Sequence, residues 1–271
     1  MSLTKIISIV LFLISIALAV YLWSSIKSTI DFQESIALTE KQITDKLEVI
    51  REAEKVYLEQ KGHYTSNWDS LISFIQYAEV PITVRTETII PLSYGRDSIQ
   101  VTIDTLGYVS AKDRIFRKTT TINCADNGTF LGFGPKVGDR VLKLSKSYSI
   151  RRTSNGRTED FVFLESGTIS GLANVQPGDE VTKGQYLITL WDYQFDPNLD
   201  VANLSQIPGS EGKEFGIFTG KIDRNGVPVN VIHVWDPAPV NPARSASNEA
   251  INRQPLQFGS KTDVNTGGNW E

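Results

Sequence analysis

The sequence has only one cysteine and two histidines among its 271 residues, and this scarcity excludes several kinds of chemistry. The single thiol, Cys124, cannot form a disulfide within the chain and cannot build a structural zinc site that needs several cysteines. His63 and His233 leave little material for histidine-based catalysis or metal binding. We therefore expect Cys124 and His233 to be buried packing residues, and His63 to be solvated at a turn.

The motifs that mark common enzyme sites are also missing. The sequence contains no phosphate-binding loop of the Gly-x-x-x-x-Gly-Lys type, no Gly-x-Gly-x-x-Gly fingerprint and no Gly-x-Ser-x-Gly nucleophile elbow. We predict that the protein is not an enzyme and that it binds no cofactor and no metal. The alternative is an enzymatic or ligand-binding site assembled from separated carboxylates, and the candidates are Asp160, Glu165, Asp192, Asp196 and Asp236.

No excess of positive charge points to nucleic acid as a partner. The chain has 27 lysines and arginines against 31 acidic residues, which gives a net charge of −4. Basic residues do concentrate between positions 136 and 157. We interpret that stretch as the solvated face of a β-hairpin, and the alternative is contact with anionic lipid headgroups or an acidic partner.

The longest apolar run lies near the N-terminus, from Ile6 to Trp23, and no charged residue follows until Lys27. At about 1.5 Å per residue, the uncharged helix covers roughly 30 Å, the thickness of the hydrocarbon core of a bilayer. We predict a transmembrane anchor over residues 1–27 that contacts the lipid bilayer. A cleaved signal peptide is the alternative, because Ala17-Leu18-Ala19 is similar to a cleavage site.

The charges that flank this run set the expected location of the chain. Lys5 precedes the run, and Lys27 is followed by Asp31 and Glu34. Because the positive-inside rule counts lysine and arginine, this distribution favours a cytoplasmic N-terminus. We predict a single-pass protein of the inner (cytoplasmic) membrane whose remaining residues lie in the periplasm.

The residues after the anchor predict a stalk helix and a short second helix over positions 28–80. Apolar residues recur every seven positions at Ile36, Ile43, Ile50 and Tyr57. The stripe is consistent with a helix packed on its own domain or with a coiled coil through which the chain self-associates. Gly62 ends the helix, and a second helix is predicted over 67–77 with Thr65 or Ser66 as its N-cap.

The residues after Pro81 predict a mainly antiparallel β domain over 81–258, so the fold class is α+β. Alternating patterns predict strands over 82–90 and 98–104, and a short strand within 108–116. Asn155-Gly156 and Asn225-Gly226 predict two hairpins with type I′ turns. Residues 259–271 are predicted to be a flexible tail.

One segment, Ser166 to Leu187, resembles half of a lipoyl-type barrel-sandwich motif. Pro177-Gly178-Asp179 and Lys183-Gly184-Gln185 are the matching turns. Periplasmic adaptor proteins of efflux and secretion systems carry two such halves, separated by a long helical hairpin, and one N-terminal anchor. Here no long helix and no second half is predicted, and no lysine has the context of a modified carrier lysine. The resemblance implies a periplasmic adaptor as an alternative function.

A second resemblance covers both ends of the chain. The segments 51–57, 61–65 and 68–72 look like a family of uncharacterised single-pass membrane proteins of the Bacteroidota, which have an N-terminal anchor followed by a helix. The late Gly226-Val-Pro-Val229 and the terminal Gly268-Asn-Trp-Glu271 resemble that family too. The resemblance implies a bacterial envelope protein, or a phage-encoded copy of one, and it transfers no biochemistry.

The helix that precedes Tyr64 is also similar to pilins and pseudopilins. Residues 1–5 lack the Gly-Phe cleavage context of those proteins, and the glutamate five residues into the apolar run is missing. A processed pilin is therefore not expected, and a component of an assembly platform remains open.

These patterns together predict a membrane-anchored, non-enzymatic structural or interaction protein that belongs to, or scaffolds, a multiprotein assembly. The candidate partner-binding residues are Trp270 and Glu271 in the tail and Ile36 and Ile43 on the stalk. An aromatic ring beside two negative charges on a flexible segment is typical of a short recognition peptide. The identity of the protein partner does not follow from the sequence.

Overall fold

The computed structural model describes residues 3–91 and 97–271, apart from the side chains of residues 3–10, 13, 83–91, 97–104 and 106. The chain forms two compact units. The first comprises Met1–Ile72 and Val201–Glu271, and the second comprises Ser73–Asp200. The first unit therefore combines the N-terminal helix with the C-terminal segment. The domains predicted from the sequence, 28–80 and 81–258, separate these two parts of the chain.

The regular elements within the described residues are three α-helices, two short 3₁₀ helices (Val201–Asn203 and Ile251–Arg253) and thirteen strands. The helices are α1 (Leu3–Lys61), α2 (Trp68–Tyr77) and α3 (Ala111–Phe116). The strands are β1 (Glu79–Pro91), β2 (Asp97–Ser110), β3 (Arg117–Asn123), β4 (Gly128–Phe133), β5 (Arg140–Val141), β6 (Lys146–Arg152), β7 (Thr158–Val162), β8 (Gly167–Leu172), β9 (Glu180–Val181), β10 (Tyr186–Tyr193), β11 (Gly216–Arg224), β12 (Val227–Trp235) and β13 (Gln257–Gly259). This composition confirms the α+β class.

Helix α1 is continuous for 59 residues, and its surroundings change along its length. The described large apolar side chains from Leu11 to Phe32 are 46–76% exposed, whereas Ile43, Leu47 and Ile50 are at most 1% exposed. The seven-residue stripe therefore packs within its own unit from Ile43 onward, where α1 contacts β13. In the part of the chain that the structure describes, no helix is long and apolar enough to cross a membrane.

The end of α1 follows the predicted turn chemistry. Gly62 has φ of +75°, and its N–H donates to the carbonyl oxygen of Leu58 at 2.8 Å, as expected for a glycine that ends a helix. The residue that caps α2 differs from the prediction, because Asn67 accepts from the Ser70 N–H at 3.0 Å. Thr65 instead accepts from the Asn67 N–H and so supports the cap.

The C-terminal part of the first unit is a three-stranded antiparallel sheet in the order β11-β12-β13. Ile232, Val234 and Phe258 are at most 1% exposed, so one face of this sheet lies in the core. Pro228 lies within β12, but β13 pairs only with residues 233–235, so β12 is an edge strand where the proline occurs. Proline has no N–H to donate, so it is tolerated in a strand only where one side of the strand has no hydrogen-bonded neighbour, as here.

The second unit begins with a long hairpin in which β1 pairs with β2. The strand predicted within 108–116 is wrong beyond Ser110, because residues 111–116 form helix α3. The hydroxyl of Ser110 accepts from the Asp113 N–H at 3.0 Å, so it caps the helix N-terminus. The local capping signal therefore outweighs the apolar pattern that favoured a strand.

Two four-stranded antiparallel sheets make up the rest of the second unit. Their orders are β3-β10-β8-β5 and β7-β6-β4-β9. The first four of these strands in sequence, β3 to β6, correspond one by one to the last four, β7 to β10, and each sheet takes two strands from each half. The segment that resembles half a barrel-sandwich motif therefore has a second half, and the expectation that none exists is wrong.

Equivalent backbone bonds tie the two halves together. The N–H of Gly138 in the first half donates to the carbonyl oxygen of Ile169 in the second half at 2.9 Å. The N–H of Gly178 in the second half donates to the carbonyl oxygen of Phe130 in the first half at 2.8 Å. Each half therefore completes the hydrogen bonding of the other, and neither is a separate folding unit.

One core fills the space between the two sheets. Phe130, Tyr148 and Ile150 reach it from one sheet, and Ile169 and Leu190 reach it from the other, all at most 2% exposed. Side chains from both halves thus share one apolar cluster, which is the main source of stability for such a sandwich.

The turns of the two halves differ at one position that needs a left-handed backbone. Gly184 has φ of +87°, and the equivalent residue in the first half is Leu144, with φ of +68° and a 69% exposed side chain. We expect Leu144→Gly to raise the free energy of unfolding by about 1 kcal/mol, because it removes left-handed strain and sacrifices little burial. Leu142→Gly is the matched control, at an exposed residue without positive φ, and urea unfolding should show it to be destabilising. Equal destabilisation by both substitutions would contradict the expectation.

Candidate functional site

The candidate site is a groove in the second unit, between the edges of its two sheets. Strands β3 and β7 are edge strands, because in the described part of the chain β3 pairs only with β10 and β7 only with β6. The groove has a volume of about 510 Å³. Its lining consists of Thr120, Thr121, Ile122, Asn123, Ala125, Tyr148, Asp160, Phe161, Val162, Leu164, Glu165 and Leu190.

The floor of the groove is apolar and includes two stacked aromatic rings. The rings of Tyr148 and Phe161 stack with their centroids 4.8 Å apart. The Tyr148 hydroxyl accepts from the Ala125 N–H at 3.0 Å, which fixes the ring in the floor. At the mouth, Leu164 is 76% exposed and Val162 is 43% exposed. Exposed apolar side chains beside an apolar floor are typical of binding surfaces.

The rim of the groove is held by ion pairs and hydrogen bonds. The Lys118 ammonium lies 3.1 Å from Glu165 Oε1, and the Thr120 hydroxyl donates to Glu165 Oε2 at 3.1 Å, so this contact joins the two edges. The Ser149 hydroxyl donates to Asp160 at 2.6 Å.

These partners keep both carboxylates of the rim ionised. The hydrogen bond from Ser149, followed by the contact with Lys146, holds the pKa of Asp160 below its usual value. The hydrogen bonds from Lys118 and Thr120 do the same for the pKa of Glu165. A general acid at neutral pH needs a raised pKa, so neither carboxylate is suited to that role.

The five dispersed carboxylates do not form one site. Asp160 and Glu165 line the groove, while Asp192 forms an ion pair with Arg140 at 2.8 Å. Asp196 accepts from the Asn198 N–H within its own turn, and Asp236 belongs to the other unit. No group of three or more His, Cys, Asp or Glu side chains that could hold a metal ion occurs among the described residues.

The predicted partner-binding residues of the tail are bonded to α1. The indole N–H of Trp270 donates to Glu48 at 3.2 Å, and the carboxylate of Glu271 lies 2.5 Å from the guanidinium of Arg51. The Arg51 guanidinium also lies 5.8 Å from the centre of the Trp270 ring. Strand β13 and a bridge between Phe258 and Gly268 order the tail further. The prediction of a flexible tail that carries a free recognition peptide is therefore wrong, because these contacts hold residues 268–271 within the first unit.

The predicted residues of the stalk also differ in exposure. Ile43 is 1% exposed within the first unit, so it is not available to another helix. Ile36 lies one heptad earlier and is half-buried. Most of the exposed apolar side chains of α1 lie before it, from Leu11 to Phe32, and Leu38 after it is 57% exposed.

Sequence reasoning missed the groove for a physical reason. Thr121, Phe161 and Leu164 are separated by up to 43 residues along the chain and meet only because the two halves interlock. The available signal was the unbroken apolar run Phe161 to Leu164 after the Asn155-Gly156 turn, because a half-buried strand would alternate apolar and polar residues. A search of protein-family models and a search of curated proteins found no match to this chain.

Proposed function

We propose that this chain is a membrane-anchored, non-enzymatic binding protein of the bacterial cell envelope that serves in, or scaffolds, a multiprotein assembly. In this proposal the N-terminal half of α1 lies in the inner membrane, and the rest of the chain lies in the periplasm. The groove between β3 and β7 is the proposed surface for a protein partner.

The observation that carries the proposal is the change in exposure along α1. From Leu11 to Phe32, apolar side chains on every face of the helix are exposed, which is unfavourable in water. Such a helix needs lipid or protein around it. Residues 6–10 and 13 of the apolar run lie outside the described side chains. The structure therefore describes the side chains of only part of the proposed anchor.

The character of the groove supports a binding role rather than catalysis. Its floor is apolar, its carboxylates are engaged in ion pairs, and an edge strand lies on each side. Edge strands offer unpaired backbone groups, which an extended segment of a partner can complete.

Cysteine labelling tests the location of the folded units. Full-length Glu211→Cys and Ser2→Cys variants are treated in intact spheroplasts with a membrane-impermeant polyethylene glycol maleimide. We expect position 211, in an exposed loop, to be labelled at once, and position 2 to be labelled only after lysis. The unsubstituted chain is the control, because Cys124 is 2% exposed and burial raises the pKa of its thiol. Protection of position 211 until lysis would contradict the proposed location.

A second candidate function, a periplasmic adaptor, is favoured by the two interlocked halves of the second unit. The connection between the two halves differs from that of the adaptors. A short turn at residues 153–157 joins β6 to β7 where the adaptors carry a long helical hairpin. An adaptor of this kind would have to meet its partners through other surfaces, of which the groove is one.

A further inference from the structure

A second surface, in the first unit, has the character of a binding site for a cation. It lies on the three-stranded sheet and consists of Phe218, His233 and Trp235, which we call the aromatic platform. Phe218 pairs across the strands with His233, and the rings of His233 and Trp235 stack with centroids 4.9 Å apart at 18°. The three residues share the face opposite to the buried Ile232 and Val234, because side chains alternate along a strand.

Two glycines let the rings lie against the sheet. A Cβ atom at Gly216 would lie 2.3 Å from Cε2 of Trp235, and one at Gly220 would lie 3.2 Å from Cζ of Phe218. The indole therefore covers the backbone of Gly216, a position that any larger residue would block. The rings of Trp235 and Phe218 each turn a face toward the ammonium of Lys261.

A cation already occupies the platform. The ammonium of Lys261 lies 4.8 Å from the centre of the Trp235 ring and 5.5 Å from that of Phe218. Both distances are within the roughly 6 Å at which a ring face attracts a cation. Lys261 belongs to an exposed segment after β13, and among the described residues no carboxylate pairs with it.

The hydrogen bonds around His233 make the platform more favourable for a cation. The Gln257 amide N–H₂ donates to Gln254, so its oxygen faces Nε2 of His233 at 3.1 Å and that nitrogen carries the proton. Nδ1 then keeps a lone pair, and it has no partner. Burial lowers the pKa of His233, so the ring is neutral at pH 7 and does not repel a cation.

We infer that the aromatic platform is a binding site for the ammonium group of an organic ligand, and that Lys261 is an internal occupant which the ligand displaces. The ligand class is small alkylated ammonium compounds, because ring faces recognise a positive charge spread over several C–H groups. The inference is independent of the membrane anchor and of the groove.

The test compares choline with 3,3-dimethylbutan-1-ol, its uncharged carbon isostere, by saturation-transfer NMR on the full-length chain in a maltoside detergent. We expect Lys261→Met to bind choline about two- to fivefold more tightly than the unsubstituted chain, since the competing ammonium is gone. The isostere should bind more weakly than choline to both proteins. Methionine retains the apolar stem of lysine, so the fold should be preserved.

A second substitution keeps the test decisive. Phe218→Leu, made on the Lys261→Met chain, removes a ring at a 38% exposed position and should abolish the preference for choline over the isostere. Far-UV circular dichroism verifies that both variants fold. The inference is overturned if Lys261→Met binds choline and the isostere equally, or if it binds neither.

Discussion

Replacing Glu54 with glutamine should stabilise the protein above pH 7 and remove most of the pH dependence of its unfolding between pH 4.5 and about 8. Glu54 is 1% exposed on α1, and its Oε2 accepts from the Thr65 N–H at 3.0 Å. Its other oxygen, Oε1, is buried without a hydrogen-bond partner. Burial raises the pKa of this carboxyl from 4.5 to about 8, so the native protein holds it protonated at neutral pH.

The direction of the effect follows from proton binding in the two states. Between pH 4.5 and about 8 the unfolded chain has released this proton and the native protein retains it, so stability falls as pH rises. The loss is up to roughly 5 kcal/mol by the top of that window, at about 1.4 kcal/mol per pKa unit. Glutamine is neutral and keeps a carbonyl oxygen for Thr65, so Glu54→Gln should be more stable by up to about 4 kcal/mol at pH 8.

Urea unfolding of the full-length chain in mild detergent, followed by tryptophan fluorescence at pH 5 to 9, measures this difference. Glu59→Gln is the matched control, because Glu59 is on the same helix and exposed. Its effect should be below about 0.5 kcal/mol at every pH. If Glu54→Gln follows the same pH curve as the unsubstituted chain, Glu54 is ionised in the native protein and the account of its burial is wrong.

Local turn chemistry could be predicted from the sequence, because it depends on few residues. Asn225 and Gly226 have φ of +58° and +83°, as a type I′ turn requires, and they join β11 to β12. The other Asn-Gly pair also joins two strands, but only Gly156 has positive φ there. The hairpin was therefore predictable in both cases, and the turn type in one.

The internal repeat was harder to recognise because its two halves differ where the motif is most distinctive. The first half has Leu144 where the second has Gly184, and one residue fewer separates Gly128 from Gly138 than Gly167 from Gly178. The strands themselves correspond, because β4 and β8 each have a register shift three residues after Gly128 and Gly167, so the extra residue lies in the loop before Gly178. Turn signals alone identified only the second half, whereas the shared core and the exchanged bonds identify both.

The partner of the stalk helix could not be predicted, because periodicity reports which residues are buried and not what covers them. The seven-residue stripe is consistent with another chain or with the same one. Residues 157 to 204 positions later contact this part of the helix, as Arg244 does with Glu40 at 2.5 Å and the Asn203 carbonyl does with the Lys46 ammonium at 2.7 Å. Pairings at that separation leave no local signal in a single sequence.

The central claim is that the exposed apolar half of α1 lies in a membrane. Substituting two residues of that segment with arginine is the most stringent test of this claim. Ile14 and Leu18 lie one helical turn apart and are 50% and 57% exposed. On insertion scales, arginine near the middle of a spanning helix costs about 2.5–3.5 kcal/mol, so Ile14→Arg with Leu18→Arg should cost about 5–7 kcal/mol. That penalty is enough to abolish stable insertion. The matched control is Gln33→Arg with Ala37→Arg, at the same spacing on an exposed part of the helix beyond the apolar run.

The most direct measurement is flotation of carbonate-washed membranes on a density gradient. The account predicts that the full-length chain and the Gln33→Arg/Ala37→Arg control float with the lipid, while Ile14→Arg/Leu18→Arg stays in the dense fractions. Recovery of the unsubstituted chain in the dense fractions, or flotation of Ile14→Arg/Leu18→Arg to the same extent as the control, would contradict it.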